Sequence, residues 1–347
     1  MFCECWANLP MLTNKCIYLA RNSDAADEVY QGVGSRTISF YLNPYYMPGQ
    51  ILVVGSSNTD MVVQTTKLPA PGETVLGGTF FMNPGGKGAN QAVAAARLTG
   101  NVTFVAKVGT DIFGEQAVAG FRQEGINTTY IQSDPDHPSG VALINVDAAG
   151  ENCITVAPGA NAQLRPAETN PALMSAEADA LVLVQLEIPL DTVVHVISEA
   201  ATRGLRVILN PAPAQPLPDE LFPNLFLITP NETEAELLTG IRVDDLSSAG
   251  QAAQKLHAMG VSNVIITLGS KGAYLSTGTQ SQLIATPPVK AVDTTAAGDC
   301  FNGALAVALA EGQPLPDAIT FACKAASISV TRMGAQASMP RRNEVNE

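Results

Sequence analysis

Four consecutive residues, Ala296-Ala297-Gly298-Asp299, carry the densest chemistry in the chain. They join a polar segment, Ala291-Val-Asp-Thr-Thr295, to an apolar helical stretch running from Asp299 to Leu309. Glycine lets a ligand approach the backbone closely. The first amides of a helix lack intrahelical partners and are partly positive, so a phosphoryl group suits that position. Asp299 at the same terminus should keep a low pKa. An ionised carboxylate beside an anion hole can take a proton from a hydroxyl while the amides hold phosphoryl oxygens. The plainer alternative is an Asp that caps its own helix.

Other stretches add polar groups. Lys87 and Asn90, in Gly85-Gly-Lys-Gly-Ala-Asn90, could hydrogen-bond a hydroxylated ligand. Gly88 stands where a P-loop needs Ser or Thr, which excludes that motif, and no G-x-G-x-x-G follows a strand. Asn231-Glu-Thr-Glu234 could order Mg²⁺ through water or simply cap a helix. Leu268-Gly-Ser-Lys-Gly272 reads as a plain turn or as a backbone cradle for phosphates. Asp293 and Thr295 could offer oxygens to a monovalent cation.

The elements that must position these groups alternate. Ile51–Val54, Val102–Val105, Leu181–Leu186, Arg206–Leu209, Leu225–Ile228, Asn263–Thr267 and Ala273–Ser276 read as strands. Gln91–Leu98, Gly114–Glu124, Asp191–Arg203, Asn231–Leu238, Ser247–Met259, Asp299–Ala310 and Leu315–Thr331 read as helices. This predicts an α/β fold, a mostly parallel central sheet with helices on both faces. Residues 61–82 and 140–156 suit antiparallel strands and are expected to meet as a small β lid. Asn58 with Asp60, Glu187, Asn210, Asn231 with Glu234, and Thr267 all fall just past strand ends, the edge where open α/β sheets bind ligands.

Composition removes several classes. The net charge of −13 and the absence of any Lys/Arg run longer than Arg341-Arg342 argue against a nucleic-acid or anionic-membrane surface. No apolar run approaches the ~18 residues of a spanning helix. The six cysteines lack zinc or disulfide-framework spacing, which fits a reducing cytoplasm. Residues 1–46 hold the only Trp and show no period, so they read as an extension outside the fold. One folded domain is expected over 47–340, with a tail at 341–347.

Gly55-Ser-Ser-Asn-Thr-Asp60, Pro71-Gly-Glu-Thr74, Gly85-Gly-Lys-Gly-Ala-Asn-Gln-Ala92, Asn210-Pro-Ala-Pro213, Ile228-Thr-Pro-Asn-Glu-Thr-Glu-Ala235, Ile266-Thr-Leu-Gly-Ser-Lys-Gly272, Asp293-Thr-Thr-Ala-Ala-Gly-Asp299 and Gly334-Ala-Gln336 together resemble the ribokinase branch of the PfkB-type carbohydrate kinases. The resemblance runs from about Ile51 to Pro340. It implies a ribokinase-like fold and ATP-dependent phosphorylation of D-ribose at O5. It assigns Asn58, Thr59, Asp60, Gly86, Lys87, Gly88, Ala89, Asn90 and Glu187 to the sugar. Asp299 is the implied base, with the amides of Ala296, Ala297 and Gly298 as the anion hole. Asn231 and the run Thr267, Leu268, Gly269, Ser270, Lys271 and Gly272 are assigned to ATP, and Glu234 to Mg²⁺. Cys323 falls near the expected adenine pocket, where His or Asn is the usual residue, and Cys300 replaces the usual Thr or Ser. Asp293, Thr295, Ser329, Arg332, Gly334 and Ser338 resemble the family's K⁺ site, and the lid its dimer surface. Fructose, 2-keto-3-deoxygluconate or a nucleoside are alternative substrates on the same fold. A non-catalytic sugar sensor would have lost Asp299 or Gly298, and both are present.

Overall fold

In the computed structural model, residues 49–346 are described. The expected extension at 1–46 lies outside them. The chain enters through β1 (Gln50–Val54), a wholly apolar strand after its first residue. It then crosses directly into β2 (Asn58–Gln64) and returns by β3 (Thr79–Gly85) to α1 (Lys87–Arg97). After β4 (Asn101–Gly109), α2 (Ile112–Gln123) and β5 (Asn127–Asp134) come β6 (Gly140–Val146) and β7 (Asn152–Ala157). Next are α3 (Pro166–Ser175), β8 (Leu181–Val184), α4 (Leu190–Thr202), β9 (Arg206–Leu209), β10 (Leu227–Ile228), α5 (Glu232–Thr239) and α6 (Leu246–Ala258). The chain ends with β11 (Asn263–Thr267), β12 (Ala273–Ser276), β13 (Ser281–Ile284), α7 (Ala297–Ala310), α8 (Leu315–Ser329), α9 (Ala335–Ser338) and α10 (Arg342–Asn346).

Nine strands form the main sheet in the order β13-β12-β11-β10-β9-β8-β1-β4-β5. It is parallel from β5 to β11, and antiparallel only where β12 and β13 extend one edge. Successive side chains of a strand point to opposite faces. Ile51 and Val53 therefore join the core under α1, α7 and α8, while Leu52 and Val54 join the core under α3, α4 and α6. Burial on both faces explains the continuous apolar runs. The strand order reverses at β1, because β4 and β5 lie on one side of it and β8 onward on the other. A crevice forms at the carboxyl ends of strands at such a point.

The lid is the four-stranded sheet β3-β2-β6-β7. Its strands begin earlier than expected, since Asn58 and Asp60 stand on β2 itself rather than in a turn after β1. Asp60 pairs across the sheet with Asn83 and Ala142, and Val62 with Phe81 and Ile144, so these residues share one face. Met61, Met82 and Leu143 share the other.

Other expectations shift. Helix α1 starts at Lys87, not Gln91, so the supposed loop Lys87–Asn90 is the first helical turn. Helix α7 starts at Ala297, not Asp299. Strand β5, helix α3 and strand β13 had no counterpart in the sequence reading. Pro171 lies inside α3 and masks it. The outer strand β13 is largely exposed and so carries little apolar signal. The tail after Pro340 carries α10, whose Val345 is buried and whose Arg342 pairs with Glu311 at 2.8 Å.

Candidate active site

The crevice is built around Asp299, which is 5% exposed. It sits in the first turn of α7, behind Ala296, whose φ of 58° is unusual for a residue other than glycine. That conformation lets the chain turn sharply into the helix. Gly298 is exposed, and a Cβ built on it meets no protein atom within 4 Å. The helix start is thus bare toward the crevice, as an approaching anion requires. Helices α1 and α7 pack face to face, which brings the α1 amides to the carboxylate. Asn90 Nδ2 donates to Asp299 Oδ2 at 2.9 Å, and Gln91 Nε2 donates to Oδ1 at 3.0 Å.

The low pKa expected for Asp299 needs correction. Burial pushes its carboxyl up, and the charge of Lys87 and the bonds from Asn90 and Gln91 offset this only in part. The sequence shows the helix terminus but not the depth at which it is buried.

At the other end of the crevice, Gly86 has φ 90° and abuts the Asn58 amide, so the chain can turn from β3 into α1 only with glycine there. Glu187, just past β8, receives the Ser56 hydroxyl and the Lys87 backbone N–H at 3.0 Å. Its carboxylate thus caps α1. Asp60 lies against the bare Cα of Gly85. Burial, with Glu187 and Asp299 nearby, raises the Asp60 carboxyl to about 6. Burial works against the Lys87 ammonium, but Asp299, Glu187 and Glu234 outweigh it and raise its pKa, so it stays charged.

Two cavities open here. One of about 200 Å³ is lined by Lys87, Asn210, Asn231, Glu234, Thr267, Ala296, Ala297, Gly298, Asp299 and Asn302. The other, about 660 Å³, lies between the Asp60 face of the lid and Asp293, Thr295 and Gly334. Asn231 and Glu234 cap α5 reciprocally, at 2.8 and 2.9 Å, and still line the first cavity. The capping and site readings therefore both apply to this pair. Burial raises the Glu234 carboxyl, although the Asn231 bond and Lys87 oppose it. The Asp293 carboxylate accepts from Thr295 N at 2.9 Å and Gly334 N at 2.8 Å. Burial raises its pKa, but these hydrogen bonds prevail and hold it below the usual range.

Not every expected residue reaches this crevice. Thr59 falls on the opposite face of β2 from Asp60 and lines a separate 200 Å³ cavity. The Ala89 side chain is in the core. Gly269, Ser270 and Lys271 form an exposed turn, and Leu268 and Lys271 line an adjoining 300 Å³ cavity. Cys323 is buried in the core, its thiol pushed up to about 11 by burial, and it lines neither crevice cavity. Buried Cys300 is likewise raised, to about 12. The Arg332 guanidinium turns to Glu344, and the Ser329 and Ser338 hydroxyls donate to helical carbonyls of Ala326 and Ala335.

Sequence reasoning missed four buried polar residues. Asn161 accepts from Ser57 N at 2.9 Å and donates to Asn58 Oδ1 at 2.8 Å, fixing the crossing into the lid. Asn302 donates to Gly298 O at 2.8 Å and accepts from Thr229. Gln91 and Gln185 lie behind Asp299. The only early signal was the placement of Gln91 and Asn302 beside motif residues.

The model of the pfkB family carbohydrate kinases matches residues 49–342. A protein named ribokinase from Haemophilus influenzae is 46% identical over 298 residues, covering 86% of this chain and 97% of its own. A deoxyribokinase from Salmonella typhi is 40% identical over 298 residues, covering 86% and 97%. The structure of Arabidopsis thaliana ribokinase complexed with ribose and ATP superposes with a TM-score of 0.80 at 34% identity, covering 87% of this chain and 98% of that one. A crevice at the strand-order reversal, a buried carboxylate under bare helix amides and a match across nearly all the described residues agree: the chain belongs to the pfkB family of carbohydrate kinases.

Proposed function

We propose that the enzyme transfers the γ-phosphoryl group of ATP to O5 of D-ribose, giving D-ribose 5-phosphate and ADP. The observation that carries this reading is the pairing of Asp299 with the exposed start of α7 in one cavity. The ribose hydroxyl attacks phosphorus, its proton passes to an Asp299 oxygen, and the bond to the ADP oxygen breaks. The amides of Ala296 and Gly298, and that of Ala297 once it gives up its 3.2 Å bond to Thr294 O, meet the charge that spreads over the phosphoryl oxygens. Asp60, Glu187 and Asn58 hold sugar hydroxyls. Asn90 Oδ1, a buried acceptor without a partner among the described residues, is suited to another. Asn231 and the Thr267–Gly272 turn hold the nucleotide.

Two cations belong to this reading. Glu234 would order Mg²⁺ through water, which suits an ion that keeps much of its hydration shell; bound there, it neutralises phosphate charge. Asp293, Thr295, carbonyls at 329, 332 and 334 and the Ser338 hydroxyl offer the oxygen donors that K⁺ takes. The tie of Asp293 to Gly334 supports a ring at that place. The enzyme acts in the cytoplasm as a homodimer. Phe80, Met82 and Leu143 on the outer lid face are 57, 50 and 51% exposed, which favours a second copy as cover.

Five outcomes test these assignments. Asp299→Asn lowers kcat by ~10²–10⁴-fold in a steady-state assay of ADP release, with ribose affinity largely kept; near wild-type turnover removes the base. Asp60→Ala weakens ribose binding by ~1.5–3 kcal/mol in titration calorimetry, and the wild-type affinity falls as pH drops through about 6, where Asp60 gains a proton and stops accepting. The ADP-release assay run on 2-deoxyribose decides between the two named activities among the relatives, and kcat/KM is expected to favour ribose. KCl activates over NaCl at equal ionic strength, and Asp293→Ala abolishes the difference; identical rates defeat the cation site and leave the kinase standing. Sedimentation gives a dimer that Phe80→Glu dissociates, whereas a monomeric wild type contradicts pairing through the lid.

A further inference from the structure

Behind Asp299, away from the cavity, runs a chain of buried amides. Gln91 and Gln185 are both fully buried, on α1 and just past β8. Gln185 Nε2 donates to Gln91 Oε1 at 2.6 Å. Gln91 Nε2 uses both its hydrogens, one to Asp299 Oδ1 at 3.0 Å and one to Asn210 Oδ1 at 2.9 Å. An amide has a donor end and an acceptor end, so the bond from Gln185 decides which end of Gln91 meets the carboxylate. With Gln91 reversed, a carbonyl oxygen would face Asp299. Among the described residues Gln185 Oε1 accepts no hydrogen bond, and it lies against the bare Cα of Gly55.

We propose that Gln91, its amide oriented by Gln185, is a positioning residue for the base Asp299. This rests on Asp299 being the base. Gln91 gives the carboxylate a second, inward hydrogen bond besides that of Asn90. Each carboxylate oxygen then has one side-chain donor and keeps acceptor capacity for the proton arriving from the sugar. A hydrogen bond to the ionised form favours that form, and burial works the other way. The remaining charged or titratable groups around Asp299 are Lys87 on α1, Glu187 past β8, Glu234 on α5, Asp60 on β2 and Cys300 on α7. None of them is part of the amide chain.

The test is the pH profile of kcat in Gln91→Met and Gln185→Met, with folding checked by thermal melting. Loss of the Gln91 donor makes the ionised base less favourable. The acidic limb, where Asp299 gains its proton, therefore moves up by about one pH unit, with KM for sugar and ATP unchanged. Gln185→Met moves it in the same direction by less. A merely structural role lowers stability and leaves the limb in place, and an unshifted limb in folded variants overturns the proposal. If Gln91→Met does not fold, Gln185→Met decides alone. If the wild type turns over no sugar, the kinase reading fails. The positioning claim is then read directly, from the titration of the Asp299 side-chain ¹³C resonance identified by its loss in Asp299→Asn.

Discussion

A carboxylate that must carry charge while hidden from water is the constraint on which the rest of this structure depends. Burial of Asp299 disfavours the very form that accepts a proton. The fold answers with short-range partners: two side-chain amides from α1, the ammonium of Lys87, and the dipole of α7. They oppose the desolvation without cancelling it, so the Asp299 pKa stays above that of an exposed aspartate, the direction that its proposed role as base calls for. Proton transfer is most efficient with such a group. A carboxylate in open solvent would be ionised but weak, and one buried without amides would be neutral.

Holding those partners in place dictates the packing of the two central helices. Gly303 of α7 lies against Ala94 and the Gln91 carbonyl of α1, where a Cβ would come within 2.7 Å of both. Close approach of the helices carries Asn90 and Gln91 to the carboxylate. Gly88 lies equally close to the backbone at Gly55 and Ser56, which seats the first turn of α1 on the connection from β1 to the lid. The entry to the lid, Asp299 and the start of α7 thus share one closely packed joint. A lid strand that follows β1 after only three residues can place Asp60 with little slack.

How much of this was legible depended on the range of the signal. Parallel strands and their helices were readable because burial on both faces makes continuous runs such as Leu181–Val184. That Asp299, Gly298 and Asn231 come to one cavity, with Glu187 near, was readable because they stand at strand ends and helix starts. Edge elements were hidden, for β5 and β13 are half exposed and α3 contains a proline. Chain entry points were misplaced wherever small residues begin a helix, since Lys87-Gly-Ala-Asn90 and Ala297-Gly298 look like loop by composition. The partners of Asp299 could not be read at all. Asn90 and Gln91 stand 209 and 208 positions from it, and no local pattern links them. The raised Asp299 pKa was lost for the same reason, because desolvation belongs to the assembled fold.

Charge balance in the crevice finally bears on what form of nucleotide it accepts. Asp299 and Glu234 line the smaller cavity, with Glu187 and Asp60 close enough to be felt there. Among the described residues lining that cavity, Lys87 is the sole cation. Several carboxylates against one ammonium repel a bare polyphosphate, and the whole chain, at −13, offers no compensating field. Amide dipoles can hold one phosphoryl group but not the charge of three. A nucleotide that entered already paired with a divalent cation, as proposed above, would meet a different potential: the acids would hold the ion's water shell, and Lys87 and the start of α7 would be left for the group in transfer. The excess of carboxylates is therefore consistent with a polyphosphate site, provided the nucleotide brings its own positive charge.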